Sequence, residues 1–340
     1  MTIFFHHTAA PLGLRRLDAV IQEIDFLQYH FQGRTVLLRP RLRAKIPFPR
    51  ALFGFQHLPW LRRQESGVDF HHVFNPDLYL FPVLKWLKRP IIYSPVAGVS
   101  KTGIDPPLSL KRHIEWIVVN NRRDWERLQR LGFHNLRLIP PGFDRSRFTV
   151  SRPPLGDRLN VLVGSSPWNL SQFQSKGVDT LLAAAQKMSN LRLVFLWRGF
   201  FVKEMEKRIK AAGVTDQVEL INEAVDVNRV LAGVHAGIVL AERTTLVKGY
   251  PNSLMEALAA GKPILVSRCI AMADLVEETG CGLVFNDNSL DEVVQGFQNL
   301  KDGYREYQEK ALEVGRDRFS LSEALEGYRD LYGAMQQTRP

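Results

Sequence analysis

The sequence predicts an α/β protein of two consecutive domains, each a Rossmann-like parallel sheet with helices. Three observations lead there. Short apolar runs alternate with longer segments of helical period, the signature of βαβ units. The alternation stops at a Pro-, Gly- and charge-rich stretch, TVSRPPLGDR (149–158), and then restarts. At 340 residues the chain is also too long for one core of ordinary size. The division expected is an N-terminal domain over 1–150, a C-terminal domain over 151–320 and a last helix, 321–340, packing back toward the first domain.

In order, TIFFHH reads as a strand, a Pro/Gly loop follows at Pro11 and Gly13, and a helix runs from about Leu14 to Phe31. RTVLLRP is a second strand, and residues 41–63 are irregular, basic and aromatic. VDFHHVFN is a strand with the helix DLYLFPVLKWLK behind it; PIIYSPV is a strand, IEWIVVNN and RRDWERLQRLG a strand–helix pair, and LRLIPPGFD closes the set. After the break come LNVLVGSS, helix GVDTLLAAAQKM, strand LRLVFLW and helix FVKEMEKRIKAAG. VELIN, HAGIVLA, PILVS and GLVFN are further strands, interleaved with helices DVNRVLAGV, SLMEALAAG, MADLVEETG and SLDEVVQGFQNL; SLSEALEGYRDLYGAM is the last helix.

No apolar run approaches the ~20 residues that span a bilayer, and no signal peptide is read at the N-terminus. Cys269 and Cys281 have neither metal nor disulfide spacing and fit a reducing cytoplasm. The net charge of +10 is lopsided: residues 1–150 hold 23 Lys and Arg against 11 Asp and Glu, whereas the remainder holds 22 against 24. An anionic partner for the first half follows, or else a solvated basic face. Arg39, Arg41, Arg43, Lys45, Arg50, Arg62 and Arg63, interleaved with Phe48, Phe53, Phe55 and Trp60, fit docking on an anionic membrane; aromatics packed inward are the alternative.

The most informative stretch is Lys248-Gly-Tyr-Pro-Asn-Ser-Leu-Met-Glu256-Ala-Leu-Ala-Ala-Gly-Lys-Pro263. It reads as a tight turn into a helix whose N-terminus lies at the carboxyl edge of a parallel sheet, where ligands of such sheets bind. Unpaired amides and the positive dipole end suit a diphosphate there. Ser253-x-x-Glu256 is also a capping box that needs no ligand.

This segment resembles the signature of the group 1 glycosyltransferases, a retaining GT-B family (glycosyltransferase family 4), roughly E-G-x-P-N-x-x-x-E-A-x-A-x-G-x-P. Leu138-Ile-Pro-Pro-Gly-Phe-Asp144 with Phe148, Ser175-Lys176-Gly177, Trp116-Ile-Val-Val-Asn and Cys281-Gly-Leu-Val-Phe resemble further landmarks of that family, in order. The first hundred residues match only loosely. The resemblance implies two domains facing across a cleft, with a nucleotide-sugar held by the second and an acceptor by the basic first. It implies Lys176 on the donor diphosphate, Glu256 on the ribose, and Pro251, Asn252, Ser253 and Leu254 around the phosphate, with Gly164, Arg198 and Arg243 completing the donor side. Lys176, Lys248 and Glu256 are then the residues expected to carry the chemistry. Stabilising the departing diphosphate is the main task, and no metal is expected. Pro11, Gly13 and His72 are placed on the acceptor side; for His6, His7, His71 and His72 a packed structural histidine is the alternative.

Three departures from the family pattern stand out. Lys248 replaces the first glutamate of the E-x7-E pair, which points to a carboxylate-bearing donor such as a uronic acid, to contact with the phosphates, or to a degenerate site. Leu170 stands where an arginine is usual, and Arg243 or Arg198 is its candidate substitute. Tyr93-Ser-Pro-Val-Ala-Gly98 lacks the usual histidine, so no catalytic base is assigned. The expected function is retaining, metal-independent sugar transfer to a glycan or lipid-linked acceptor in cell-surface polysaccharide or glycolipid synthesis. It would take place in the cytoplasm or peripherally at the inner membrane face. Competing readings are a sugar-nucleotide epimerase, a degenerate transferase-like binding protein, and a basic nucleic-acid-binding protein; the last lacks any matching motif, and no nucleic-acid partner is expected.

Overall fold

The computed structural model describes residues 1–8, 19–40, 48–99, 112–197 and 200–337. They form two units, Met1–Pro141 with Ser322–Pro340, and Gly142–Leu321.

The first unit is a six-stranded sheet, β1 (Ile3–His7), β2 (Gly33–Leu37), β3 (Phe70–Asn75), β4 (Ile91–Pro95), β5 (Trp116–Val119) and β6 (Leu136–Leu138). The spatial order is β2-β1-β3-β4-β5-β6, and each pairing is parallel. β1, β3 and β4 are buried at every position, as strands covered on both faces must be. The helices are α1 (Ala19–His30), α2 (Leu58–Gln64) and α3 (Arg122–Arg130). Asn121 caps α3, its side chain accepting from Asp124 N.

One expected helix is absent. Behind β3 the chain forms only a 3₁₀ turn, Pro82–Trp86. Asn75 Nδ2 donates to Asp77 O (2.7 Å) and the Tyr93 hydroxyl to Tyr79 O (2.6 Å), so side chains take carbonyls that a helix would use, and Pro82 supplies no amide.

The second unit is another six-stranded parallel sheet, β7 (Leu159–Val163), β8 (Leu191–Leu196), β9 (Val218–Ile221), β10 (Ala236–Val239), β11 (Ile264–Ser267) and β12 (Gly282–Phe285), in the order β12-β11-β10-β7-β8-β9. Its helices are α4 (Gln172–Ser175), α5 (Val178–Lys187), α6 (Val202–Ala211), α7 (Val227–Ala232), α8 (Asn252–Ala259), α9 (Met272–Thr279), α10 (Leu290–Asp302) and α11 (Tyr304–Asp317). Two apolar clusters, one per face of the sheet, fill the layers between sheet and helices. The Pro-rich stretch after Phe148 is bound to this unit: Thr149 N donates to Asn228 Oδ1 (2.9 Å), Ser151 N to Ala260 O (3.2 Å), and the buried Lys262 Nζ to Ser151 O (2.7 Å).

The last helix, α12 (Leu321–Gln337), joins the first unit's core. Its Tyr328, Leu331, Tyr332 and Met335 pack with Ile3, Phe5 and Phe70 of the sheet and Ile24 and Leu27 of α1.

Candidate functional site

The second sheet reverses its strand order between β7 and β10, and ligands of open parallel sheets bind outside the carboxyl ends at such a reversal. Predicted residues meet there. β7 runs out at Gly164, where an added Cβ would lie on Ser253 in the first turn of α8, 2.7 Å from its Cβ. Only glycine lets the strand end come this close to the helix start. The next residue, Ser165, holds a left-handed φ of 72°, strained for a side-chain-bearing residue. Its Oγ accepts from Lys176 Nζ (3.0 Å), and Ser166 O accepts a second bond from the same ammonium (2.9 Å).

Lys176 is 4% exposed, and burial lowers its pKa to about 7. An ammonium has three donors and two are used, so one remains for a ligand. Gly177, at φ +67°, turns the chain from α4 into α5; an added Cβ would lie 2.7 Å from Leu240 Cβ, just past β10. The loop after β10 is tied to the same place, because Glu242 N donates to Ser175 O (2.9 Å). Arg243, next in that loop, is exposed.

α8 starts two residues earlier than a capping box requires. Pro251 is the N-cap and accepts from Leu254 N (3.0 Å) and Met255 N (3.1 Å), and no side chain caps the helix. Ser253 is therefore inside the first turn, which corrects the capping-box reading of Ser253 and Glu256. The amides of Asn252 and Ser253 lie outside the helix's own ladder. Leu254 uses its N–H on Pro251 and buries its side chain in the core, so it has no amide left for an anion. Glu256 is half-buried in the following turn, and Lys248 is half-buried in the connection leading to α8.

The structure thus gathers Gly164, Lys176 and Ser253, with Arg243, Lys248, Pro251, Asn252, Leu254 and Glu256 on the two adjoining connections. Arg198, Pro11 and Gly13 lie outside the described residues, as do Arg41, Arg43 and Lys45. His72 belongs elsewhere. It is fully buried in the first unit, with Nδ1 2.7 Å from the Tyr332 hydroxyl and Nε2 2.8 Å from Ser94 Oγ. Both nitrogens are occupied and burial lowers its pKa to about 3, so its placement on the acceptor side is corrected to a neutral bolt between β3, β4 and α12. Sequence reasoning missed Ser165 and Ser166; the available signal was a polar Gly-Ser-Ser turn directly after a strand.

The family model described as Glycosyl transferases group 1 matches residues 170–318. The matched residues lie within the second unit, which is thus similar to the group 1 glycosyltransferases. A GDP-mannose-dependent α-(1-6)-phosphatidylinositol monomannoside mannosyltransferase of Mycobacterium tuberculosis is 26% identical over 179 residues, 49% of this chain and 46% of the relative. The match therefore spans about half the length of that curated relative. Anabaena HepE, solved with UDP and glucose, has a TM-score of 0.71 at 14% identity, covering 98% of this chain and 100% of that one. WaaG, a glycosyltransferase involved in lipopolysaccharide biosynthesis, has 0.69 at 15% identity, again covering 98% and 100%. A glycosyltransferase from Rickettsia africae has 0.69 at 12%, covering 99% of each. These likenesses show the fold: two Rossmann-like units of GT-B type.

The second unit has a donor set suited to anions. A buried ammonium with one donor to spare, two amides at a helix N-terminus and nearby Arg243 and Lys248 can neutralise a diphosphate, and burial strengthens each interaction.

Proposed function

We propose that the chain transfers a sugar from a nucleoside-diphosphate sugar to a glycan or lipid-linked acceptor, with retention and without a metal, in cell-surface polysaccharide or glycolipid synthesis. The observation that carries this reading is the convergence of Lys176, Gly164–Ser165 and the first turn of α8 at the second sheet's reversal point. In a sugar transfer the departing diphosphate gains negative charge, and groups fixed in advance to meet that charge lower the barrier. Lys176 and the amides of Asn252 and Ser253 serve as these groups, and Glu256 receives ribose hydroxyls. The incoming hydroxyl attacks on the face the diphosphate leaves, and a phosphate oxygen takes its proton. Support comes from the neighbours: HepE is solved with UDP-glucose, and the mycobacterial relative is named for GDP-mannose and a phosphatidylinositol mannoside acceptor.

A lipid-linked acceptor accords with exposed Trp60 and Trp86 among the arginines and lysines of the first unit, and the site of action proposed is the cytoplasmic membrane surface. No helix among the described residues is long and apolar enough to cross a membrane.

The test is thermal stabilisation in EDTA by UDP, GDP, ADP, dTDP and CMP, followed by neutral and uronic sugars of the winning base. A ligand at ~100 times its Kd adds about 2.7 kcal/mol. Stabilisation by one diphosphate nucleotide supports the reading, and a preference for a uronic sugar that Lys248→Glu abolishes supports a carboxylate-bearing donor. If no nucleotide stabilises the chain, the degenerate, non-catalytic reading replaces it; Lys248 and Leu170 at two usually acidic and basic positions are what favour that reading now.

A further inference from the structure

The loop after β10 carries Arg243 and meets the Lys176 turn through one backbone bond, and what aims that bond lies on the other side of β10, at the ends of β11 and β12. The peptide unit joining Ala241 to Glu242 is held at both polar ends. Its N–H, the Glu242 amide, donates to Ser175 O (2.9 Å), directly before Lys176. Its carbonyl, Ala241 O, accepts from Asn288 Nδ2 (2.9 Å) and from Cys269 Sγ (3.1 Å). A peptide group is planar, with N–H and C=O pointing opposite ways, so whatever fixes the carbonyl also fixes where the amide aims.

The preceding amide, Ala241 N, donates to Ser267 Oγ (2.9 Å), and that hydroxyl donates to Asn288 Oδ1 (2.5 Å). The Asn288 amide therefore has one orientation, with Oδ1 toward a hydroxyl and Nδ2 toward a carbonyl. Ser267 and Asn288 are both buried, where such bonds are stronger than in water. The turn between β12 and α10 has fastenings of its own. Glu292 accepts from Asn286 N (2.7 Å) and Asp287 N (3.0 Å), and Ser289 caps α10. Asn288 takes a left-handed φ of 57°, which asparagine tolerates better than most residues, and its side chain serves a loop 47 positions away.

We propose that Asn288, aided by Ser267, is a positioning residue for sugar transfer: it sets the plane of the Ala241–Glu242 peptide and so pins the turn that carries Lys176. This role rests on the reading of the β7/β10 edge as the donor site. Asn288 touches no substrate and acts only through Glu242 N and Ser175 O. Without its side chain the peptide can rotate, Ser175 O loses its donor, and the ammonium is no longer held in advance for the charge it meets.

The experiment uses the full chain with Asn288→Gly and Ser267→Ala. Glycine accepts the left-handed φ, so the first variant removes the side chain without straining the backbone. The second removes one hydroxyl and is the milder change. Two amides are followed by hydrogen exchange in ¹⁵N-labelled, unliganded protein: Glu242, and Gly237, which donates to Pro263 O within the sheet. Glu242 should exchange about tenfold faster in Asn288→Gly and less so in Ser267→Ala, with Gly237 unmoved. Whichever of UDP, GDP, ADP or dTDP stabilises the wild type should bind Asn288→Gly about tenfold more weakly. That loss should vanish when the comparison is made in a Lys176→Met background, because the effect passes through Lys176. Equal acceleration of both amides would mark Asn288 as structural only, and an undiminished loss in the Lys176→Met background would route its effect elsewhere. Either result overturns the proposal, as does a Glu242 amide unmoved by both variants. If the wild type binds a nucleotide and Asn288→Gly binds it equally well, the positioning role fails alone. If no nucleotide binds the wild type, the transferase reading fails, and a faster Glu242 amide then makes Asn288 a loop fastener with no part in transfer.

Discussion

The two sheets reverse their strand order at different places, and the side chains gathered at each reversal differ in kind. At β7/β10 the chain supplies small residues, an ammonium and helix amides, the equipment for a polyanion. At β1/β3 it supplies the imidazoles of His6 and His71, kept neutral by burial, and the Glu65 carboxylate, with Phe4 stacked on Trp60 on the same face as His6 (5.4 Å between centroids, 7° between planes). The two units share the reversed strand order, while the side chains gathered beside it differ in chemistry. The excess positive charge of the first half therefore describes its surface, not its innermost residues.

The sharpest test of that contrast is Lys176→Met. If the ammonium is the principal cation at β7/β10, kcat/KM for sugar transfer should fall by about 10²–10³-fold, the usual cost of losing one preorganised charge-stabilising donor. The unliganded chain should melt no lower, because the substitution removes a buried charge. Unchanged turnover would move the diphosphate away from this edge.

Next in size is Gly164→Ala. Its methyl lands on Ser253, and overpacking of this kind costs about 1–3 kcal/mol in denaturant unfolding. Adding Ser253→Gly should restore most of the loss, since the two sites are in contact and couple. No rescue would mean that strand end and helix start are not pressed together.

Titration gives a third test. The Lys176 pKa is lowered from 10.5 to about 7, so between those values the unfolded chain holds more protons and the unliganded fold gains stability as pH rises; the cost of the buried charge is fully present below pH 7. A bound diphosphate favours the protonated form. Nucleotide affinity should then be flat below about pH 7 and weaken by up to tenfold per pH unit above it, measured by calorimetry. Lys176→Arg should abolish the slope. A wild-type profile flat to pH 9 would contradict the buried ammonium.

The smallest effect belongs to the other unit. Tyr332→Phe removes the hydroxyl bonded to His72 and should cost about 1 kcal/mol of stability without altering nucleotide affinity. A change in nucleotide Kd would couple α12 to the donor edge and weaken the contrast.

The second unit was the more legible in the sequence, because its strands are short apolar runs bounded by Gly and polar turns and its helices keep a clean period. Even there α11 was not anticipated: YREYQEKALEVGRD is so charged that its apolar stripe of Tyr304, Ala311 and Val314 is thin. In the first unit, the segment behind β3 carries helical period but spends its carbonyls on Asn75 and Tyr93, a tertiary choice no local pattern announces. Lys176 and the Gly164 turn were readable as motif and strand end. The serines that hold Lys176 were not, because their role depends on the left-handed turn at Ser165. Likewise His72 looks the same in sequence whether it faces a ligand or Tyr332, some 260 positions away.

That long reach has a consequence for the order in which the chain can mature on the ribosome. The strand carrying Ile3 and Phe5 is translated long before α12, yet the face of the sheet formed by Ile3, Phe5 and Phe70 is closed by Tyr328, Leu331, Tyr332 and Met335 of α12, together with Ile24 and Leu27 of α1. During vectorial synthesis Gly142–Leu321 has every segment of its own core to hand before α12 is translated. The half translated first is thus sealed after the other, and until then an apolar sheet face waits only partly covered.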